Sequence, residues 1–203
     1  EHQPVFAPPR HGVQARTQLE AVCTVRAIRE VRIFSLVPQQ AIALAAEMAG
    51  KGPIPTNVRV VDKPETAVRN ADVICTATTS NTPVFDGLHL TPGAHINGVG
   101  AYLPTMQEID VATVRRALVV VDSRTAVLAE AGDLIIPLQN GDIAASHIHA
   151  ELGEIVTGLK TGRTDPQQIT FFKSVGLAAQ DAVAARIVLR NALDANLGTE
   201  VEL

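Results

Sequence analysis

Apolar positions along this chain switch repeatedly between a helical and a strand period. From Val13 to Ile28 they recur at 15, 19, 22, 25 and 28, the spacing of one helix face. Residues 30–35 (EVRIFS) then alternate every second position, as a half-buried strand does. Pro38 opens a second helix that runs through an Ala-rich stretch to Met48, with Gly50 and Gly52 as stop signals. Residues 57–61 (NVRVV) predict a strand, 65–70 a short helix and 72–76 (DVICT) another strand. Further on, 94–100 is strand-like, 117–122 (ALVVVD) is the most apolar strand, and 124–130 and 151–159 predict helices. Residues 168–172 give a last strand and 176–195 a long helix. Strands alternating with helices predict an α/β fold built on a parallel sheet. The long final helix carries Ala, Val, Ile and Leu on most faces, which predicts burial against another element.

The first ten residues break the pattern. EHQPVFAPPR holds three prolines, which remove ladder donors and fix φ, so it predicts extended or irregular chain, at best an edge strand. With no initiating Met, the expectation is a chain that starts part way into a longer protein.

Composition narrows the function classes. With 203 residues, 46% hydrophobic, the chain can bury a substantial core. A net charge of −4 with scattered Lys and Arg offers no basic face for nucleic acid, and 3% aromatic content offers no base-stacking platform. Apolar runs fall well short of the roughly 18 residues of a membrane span, and the start does not resemble a signal peptide, so cytoplasmic residence is the expectation. Cys23 and Cys75 stand alone in apolar runs and read as core thiols, and His147 and His149 are too isolated to argue for a metal.

Candidate chemistry starts at residues 10–15 (RHGVQA), which occupy the frame of a G-x-G-x-x-G/A turn. In that turn the first glycine makes the bend, the second lets backbone approach a pyrophosphate, and the third small residue lets helix pack on strand. Gly12 and Ala15 keep the last two roles, while Arg10 stands where the first glycine belongs. The loops after the later strands, TATTS at 76–80 and the end of HINGVG at 95–100, fall at the carboxyl edge of such a sheet, where ligands bind. His95 and Asp122 invite reading as an acid–base pair, but their places within and at the end of strands favour structural roles. Glu108 and Asp110 precede a helix beginning at Asp110-Val111, where carboxylates favour the positive dipole end, and Asp133 after Gly132 reads as structural.

From residue 12 onward the chain resembles the ornithine cyclodeaminase/mu-crystallin family. The resemblance rests on ordered segments: GVQA at 12–15 with QLEA at 18–21, ADVICTAT at 71–78, PGAHINGVG at 92–100, Pro104 through Glu108-Ile109-Asp110, VDS at 121–123, GDL at 132–134, ELGE at 151–154, and FKSVGLA at 172–178 with Asp181. It implies a Rossmann-type doubly wound parallel sheet with a long C-terminal helix. The expected division is an irregular Pro-rich lead-in at 1–11, a dinucleotide-binding domain at 12–173, and a helical segment at 174–203 that packs on a substrate and dimerisation domain preceding this sequence. That domain would make the full-length protein a homodimer.

The resemblance also assigns residues. Gly12, Val13 and Gln14 fall where backbone amides meet the pyrophosphate of NAD or NADP, Thr78 lines the cofactor, and Val99-Gly100 lies beneath the nicotinamide. Ser174 falls beside the nicotinamide and Val175 beside the substrate, an amino or imino acid. Ser35 ends the second strand where NAD-preferring domains place Asp or Glu, and its neutrality tilts the cofactor toward NADP. Tyr102 stands where the cyclodeaminases carry a proton-transferring aspartate. With a reference pKa of ~10 it is suited to donating a proton rather than to acting as a base. The implied activity is hydride transfer at the Cα of an amino acid or cyclic imine, either ornithine cyclodeamination or, with Tyr102 as the candidate catalytic residue, ketimine or imino-acid reduction or amino-acid dehydrogenation. A mu-crystallin-like binding protein or an inactive fragment is the non-enzymatic alternative. No metal is implied.

Overall fold

The computed structural model describes residues 4–7, 13–199 and 201. Eight strands form one sheet: β1 (Pro4–Ala7), β2 (Val31–Ile33), β3 (Val58–Val60), β4 (Val73–Thr76), β5 (His95–Gly98), β6 (Leu118–Val121), β7 (Ile148–Glu151) and β8 (Thr170–Lys173). All neighbours pair in parallel, in the order β3-β2-β1-β4-β5-β8-β6-β7. The chain winds outward from β1 to β3, then returns to the other side of β1 with β4. That reversal makes β1 and β4 the switch point, at whose carboxyl ends ligands bind in a doubly wound sheet.

Helices cover both faces. On one side α1 (Val13–Val25) and α2 (Pro38–Met48) bury Ala15, Leu19, Val22, Ala41 and Leu44 against Val31, Ile33 and Cys75. On the other, α3 (Pro64–Val68), α4 (Val111–Arg116), α5 (Arg124–Glu130) and α6 (Gly132–Gln139) enclose Ile74, Ile96, Val119, Val121 and Phe171. Val, Ile and Leu dominate these strands because both faces are covered. Cys23 and Cys75 belong to the first core; burial pushes their thiols up to about 11 and about 12, which leaves both as un-ionised core groups.

Two expectations are corrected, and the last helix stands uncovered. Pro4–Ala7, read as irregular or edge chain, pairs with β2 on one side and β4 on the other, in the interior of the sheet. Pro4 is the first residue of the strand, where a missing N–H is tolerated, and Pro8 and Pro9 follow its last residue. The lead-in thus contains a strand, and the sheet begins before residue 12; the rest of residues 1–11 lies outside the described residues. Residues 148–151, left unassigned or folded into a helix, form β7, and the following helix shortens to α7 (Leu152–Val156). The last helix, α8 (Ala178–Asp194), buries none of its residues, with Val183, Ile187, Leu189 and Leu193 exposed. Both sheet faces already carry helices, and Gly176, at φ +95°, turns the chain out of β8 toward α8.

Candidate functional site

Parallel strands deliver their following loops to one edge, and the site is assembled there. Val13 and Gln14 start α1 on the exposed side, while Ala15 is 0% exposed and performs the close packing expected of the third small residue of the turn. Gly12 lies outside the described residues. At the end of β2 the Ser35 hydroxyl accepts the Val37 N–H at 3.2 Å, which shapes the turn into α2 and puts no carboxylate at that position.

The other predicted residues cluster beyond β4, β5 and β8. The ladder continues past the strands through Val99 N–H to the Thr76 carbonyl (2.9 Å) and Ser174 N–H to the Gly98 carbonyl (3.1 Å). The Thr78 hydroxyl accepts the Ser80 N–H at 3.1 Å, closing the loop after β4 on itself. Gly100 is buried so tightly between Thr78 and Glu108 that a Cβ there would meet both within 2.4 Å. Tyr102 follows two residues later and is 47% exposed, its ring at the surface of the edge.

Asp122 holds the third loop. It directly follows β6, and its Oδ2 accepts the Ser174 hydroxyl (2.7 Å) and the N–H groups of Val175 (2.9 Å) and Gly176 (2.8 Å). This carboxylate positions the two residues expected beside the nicotinamide and substrate, a structural role in keeping with its place at a strand end.

His95 is not its partner. It starts β5, level with Thr170 and Leu118 in the register, whereas Asp122 lies four residues beyond Leu118. At ~3.3 Å per residue the two are separated by about 13 Å along the strand direction. His95 bonds Thr170 Oγ1 at 2.7 Å and Asn97 Oδ1 at 3.1 Å. Burial depresses its pKa, and Arg163 and Arg26 add to the effect against the opposing bond to Asn97. A histidine depressed in the folded state contributes stability that is present above its unfolded value of about 6.5 and lost as pH falls through the folded value. Urea unfolding across mildly acidic pH is expected to show that loss, and His95→Gln is expected to flatten it.

Asp110 caps α4 by accepting the Thr113 N–H at 2.9 Å, as expected of a carboxylate at a helix start. Glu108 is a correction: it is 0% exposed and reaches away from that helix into the loops after β4 and β5. Its oxygens accept the Thr76 hydroxyl (3.0 Å) and the N–H groups of Thr78, Gly100 (2.9 Å) and Ala101 (3.2 Å). Burial and the nearby Asp133 raise its pKa, while Lys173 and the bond from Thr78 oppose the rise. Asp133 Oδ1 accepts the N–H groups of Glu108 (2.7 Å) and Ile109 (2.9 Å), and its Oδ2 pairs with Lys173 Nζ at 3.0 Å, both side chains fully buried. Sequence spacing carried no signal for this cluster, because its three members come from a loop, the first turn of α6 and the end of β8, which only the fold brings together.

A groove of about 1040 Å³ lies elsewhere. It runs over the β5, β8 and β6 face and the amino ends of the strands, lined by His95, Asn97, Thr170, Phe172, Arg163 and residues of α7. No group of three or more His, Cys, Asp or Glu residues suited to a metal occurs among the described residues. No described helix is long and apolar enough to cross a membrane. The edge beyond β4 and β5 offers different chemistry: α1 begins with exposed Val13 and Gln14 beside the switch point, glycines lie in the loop after β5, and no acidic side chain stands at Ser35 after β2.

A Δ1-pyrroline-2-carboxylate reductase of Bacillus cereus is 41% identical over 192 residues, covering 94% of this chain and 58% of the relative. The ketimine reductase mu-crystallin of Mus musculus is 37% identical over 177 residues, covering 87% of this chain and 52% of that protein. The structure of Thermococcus litoralis Δ1-pyrroline-2-carboxylate reductase in complex with NADH and L-proline superposes with a TM-score of 0.93 at 42% identity, covering 98% of this chain and 61% of that one. The chain thus spans little more than half the length of these curated relatives. Residues 7–196 match the ornithine cyclodeaminase/mu-crystallin family, and the chain belongs to it.

Proposed function

We propose that this chain is the nicotinamide-dinucleotide-binding part of a reductase that converts a cyclic imino acid to the corresponding amino acid. The observation that carries the reading is Tyr102: a half-exposed phenol on the loop beyond Gly100, at the position where the family resemblance places the aspartate of the cyclodeaminases. The similarity to pyrroline-2-carboxylate and ketimine reductases supports the same choice. So does the NADH in the Thermococcus litoralis complex, which favours NAD over the NADP that Ser35 alone suggested.

The dinucleotide, when bound, supplies the hydride that adds to the imine carbon, leaving the oxidised nicotinamide. This chain's residues arrange the rest. Val13 and Gln14 present amides to the pyrophosphate at the start of α1, where the helix dipole favours an anion. Thr78 and Val99-Gly100 form the floor for the ring, and Asp122 fixes Ser174 and Val175 beside it. Tyr102 holds a proton on its Oη, which can pass to the imine nitrogen as the hydride reaches carbon. A cyclodeaminase must also remove a proton from its amino acid substrate, a task for a carboxylate rather than for a phenol.

Titration of the purified chain with NADH and NADPH, followed by cofactor fluorescence, tests the binding half of this reading. Saturable binding is expected with NADH the tighter, and no saturation with either would sink it. In the full-length protein, Δ1-pyrroline-2-carboxylate is expected to drive NADH oxidation while ornithine releases no ammonia; the reverse result would assign cyclodeamination instead. Tyr102→Phe is expected to lower kcat about tenfold with NADH affinity unchanged, less than general-acid loss usually costs, because an exposed site lets water replace the phenol.

A further inference from the structure

Beyond the rung from Val99 N–H to the Thr76 carbonyl, the loops after β4 and β5 share a side-chain acceptor, the carboxylate of Glu108. One oxygen takes the Thr78 N–H; the other takes the Thr76 hydroxyl and the Gly100 and Ala101 N–H groups. Every partner is a donor, so the arrangement fits a carboxylate with both oxygens accepting. Asp133 grips the backbone N–H of Glu108 itself, which fixes the point from which the side chain enters between the loops.

We propose that Glu108 is a positioning residue for the nicotinamide half of the dinucleotide site. By holding Thr78 and Gly100 at one separation it makes the two loops present a single surface to the ring. The proposal rests on the cofactor reading above. The adenosine half belongs to the other side of the switch point, at the start of α1 and the end of β2, with β1 between β2 and β4. A disturbance at Glu108 therefore acts on one half of the ligand and spares the other. A carboxamide is the sharpest disturbance, because Gln keeps the shape but turns an NH2 group toward backbone N–H donors.

Calorimetric titration of this chain with NADH and with ADP tests it. Glu108→Gln is expected to weaken NADH binding about tenfold, the usual scale for one or two charge-assisted hydrogen bonds, while ADP affinity stays within about twofold. A merely structural Glu108 would lose both ligands together as the folded fraction falls, and that result, or unchanged NADH affinity, overturns the proposal. Should Glu108→Gln fail to fold by circular dichroism, Thr76→Val decides, since it removes a single donor from the same carboxylate without changing shape. It is expected to weaken NADH about threefold and leave ADP unchanged; equal losses or none would overturn the proposal. A wild-type chain that binds neither ligand overturns the cofactor reading and this proposal with it, a failure distinct from that of the variants.

Discussion

Gly100→Ala is expected to lower the thermal midpoint by roughly 6–12 °C, from about 3 kcal/mol of steric strain in a domain of this size. The added Cβ would fall 2.3 Å from the Thr78 carbonyl oxygen, 2.4 Å from the Thr78 nitrogen and 2.4 Å from Glu108 Oε1. Two of those atoms are backbone of a loop already tied to Glu108, so relief requires the loops after β4 and β5 to separate. Backbone conformation is not the issue, since Gly100 is not among the glycines at positive φ. The constraint is space, which ties stability and the proposed nicotinamide surface to one position. Gly153→Ala is the matching control: it lies in α7 with nothing within 4 Å of the added carbon, and is expected to be neutral or to stabilise by about 0.5–1 kcal/mol. Differential scanning fluorimetry of the two variants checks both. A midpoint for Gly100→Ala within a degree or two of wild type would mean that the loops are looser than the close approach implies.

The elements whose period runs long enough to be heard were legible in the sequence. α2, β4, β6 and α5 each carry a full repeat of apolar positions or a continuous Val/Ile run and lie within a residue of where the pattern put them, while α1 starts at Val13 as read and ends at Val25, three residues before Ile28. β1 was hidden because its apolar content is three residues between prolines, and its central place is decided by pairing with β2 and β4, which no local signal encodes. β7 did have a signal, the alternation Ile-His-Ala-Glu with Ile148 and Ala150 inward, but four residues are too few to stand apart from the helical run that follows. The long apolar helix α8 was expected to pack on a domain preceding this sequence, and within this chain it has no cover.

At the site the division is similar. Residues proposed to meet the dinucleotide through backbone or small side chains, Val13, Gln14, Thr78 and Val99-Gly100, were picked out by motif order. The structure brings the loops bearing Thr78, Gly100, Ser174 and Val175 together at one edge. What stayed invisible was the buried charge that holds that edge. Glu108, Asp133 and Lys173 are 65 positions apart from first to last, and each alone looks like an ordinary surface residue. Only the topology, with α6 starting under the loop that carries Glu108 and β8 ending beside it, turns three scattered charges into one cluster.

That cluster supports the largest expected effect, a loss of about 3–5 kcal/mol on Asp133→Asn, the usual result of removing one partner from a buried ion pair. The substitution is chosen to isolate the charge. Asn can keep an oxygen on the N–H groups of Glu108 and Ile109, which Asp133 now holds at 2.7 and 2.9 Å, so the loop anchor survives. What is lost is the counter-ion of Lys173, 3.0 Å away and wholly buried, whose ammonium is left facing an amide that has donors of its own. If uncompensated charge is the cause, removing it should repair the damage. Lys173→Met in the Asp133→Asn background is therefore expected to recover all but about 1 kcal/mol, because a linear apolar chain fills the same space and needs no partner. Urea unfolding at neutral pH of the wild type, both single variants and the double variant gives the cycle. Strong non-additivity is the expected outcome. A double variant as unstable as the sum of its parents would show that the pair acts through packing alone and that the edge is not held by charge.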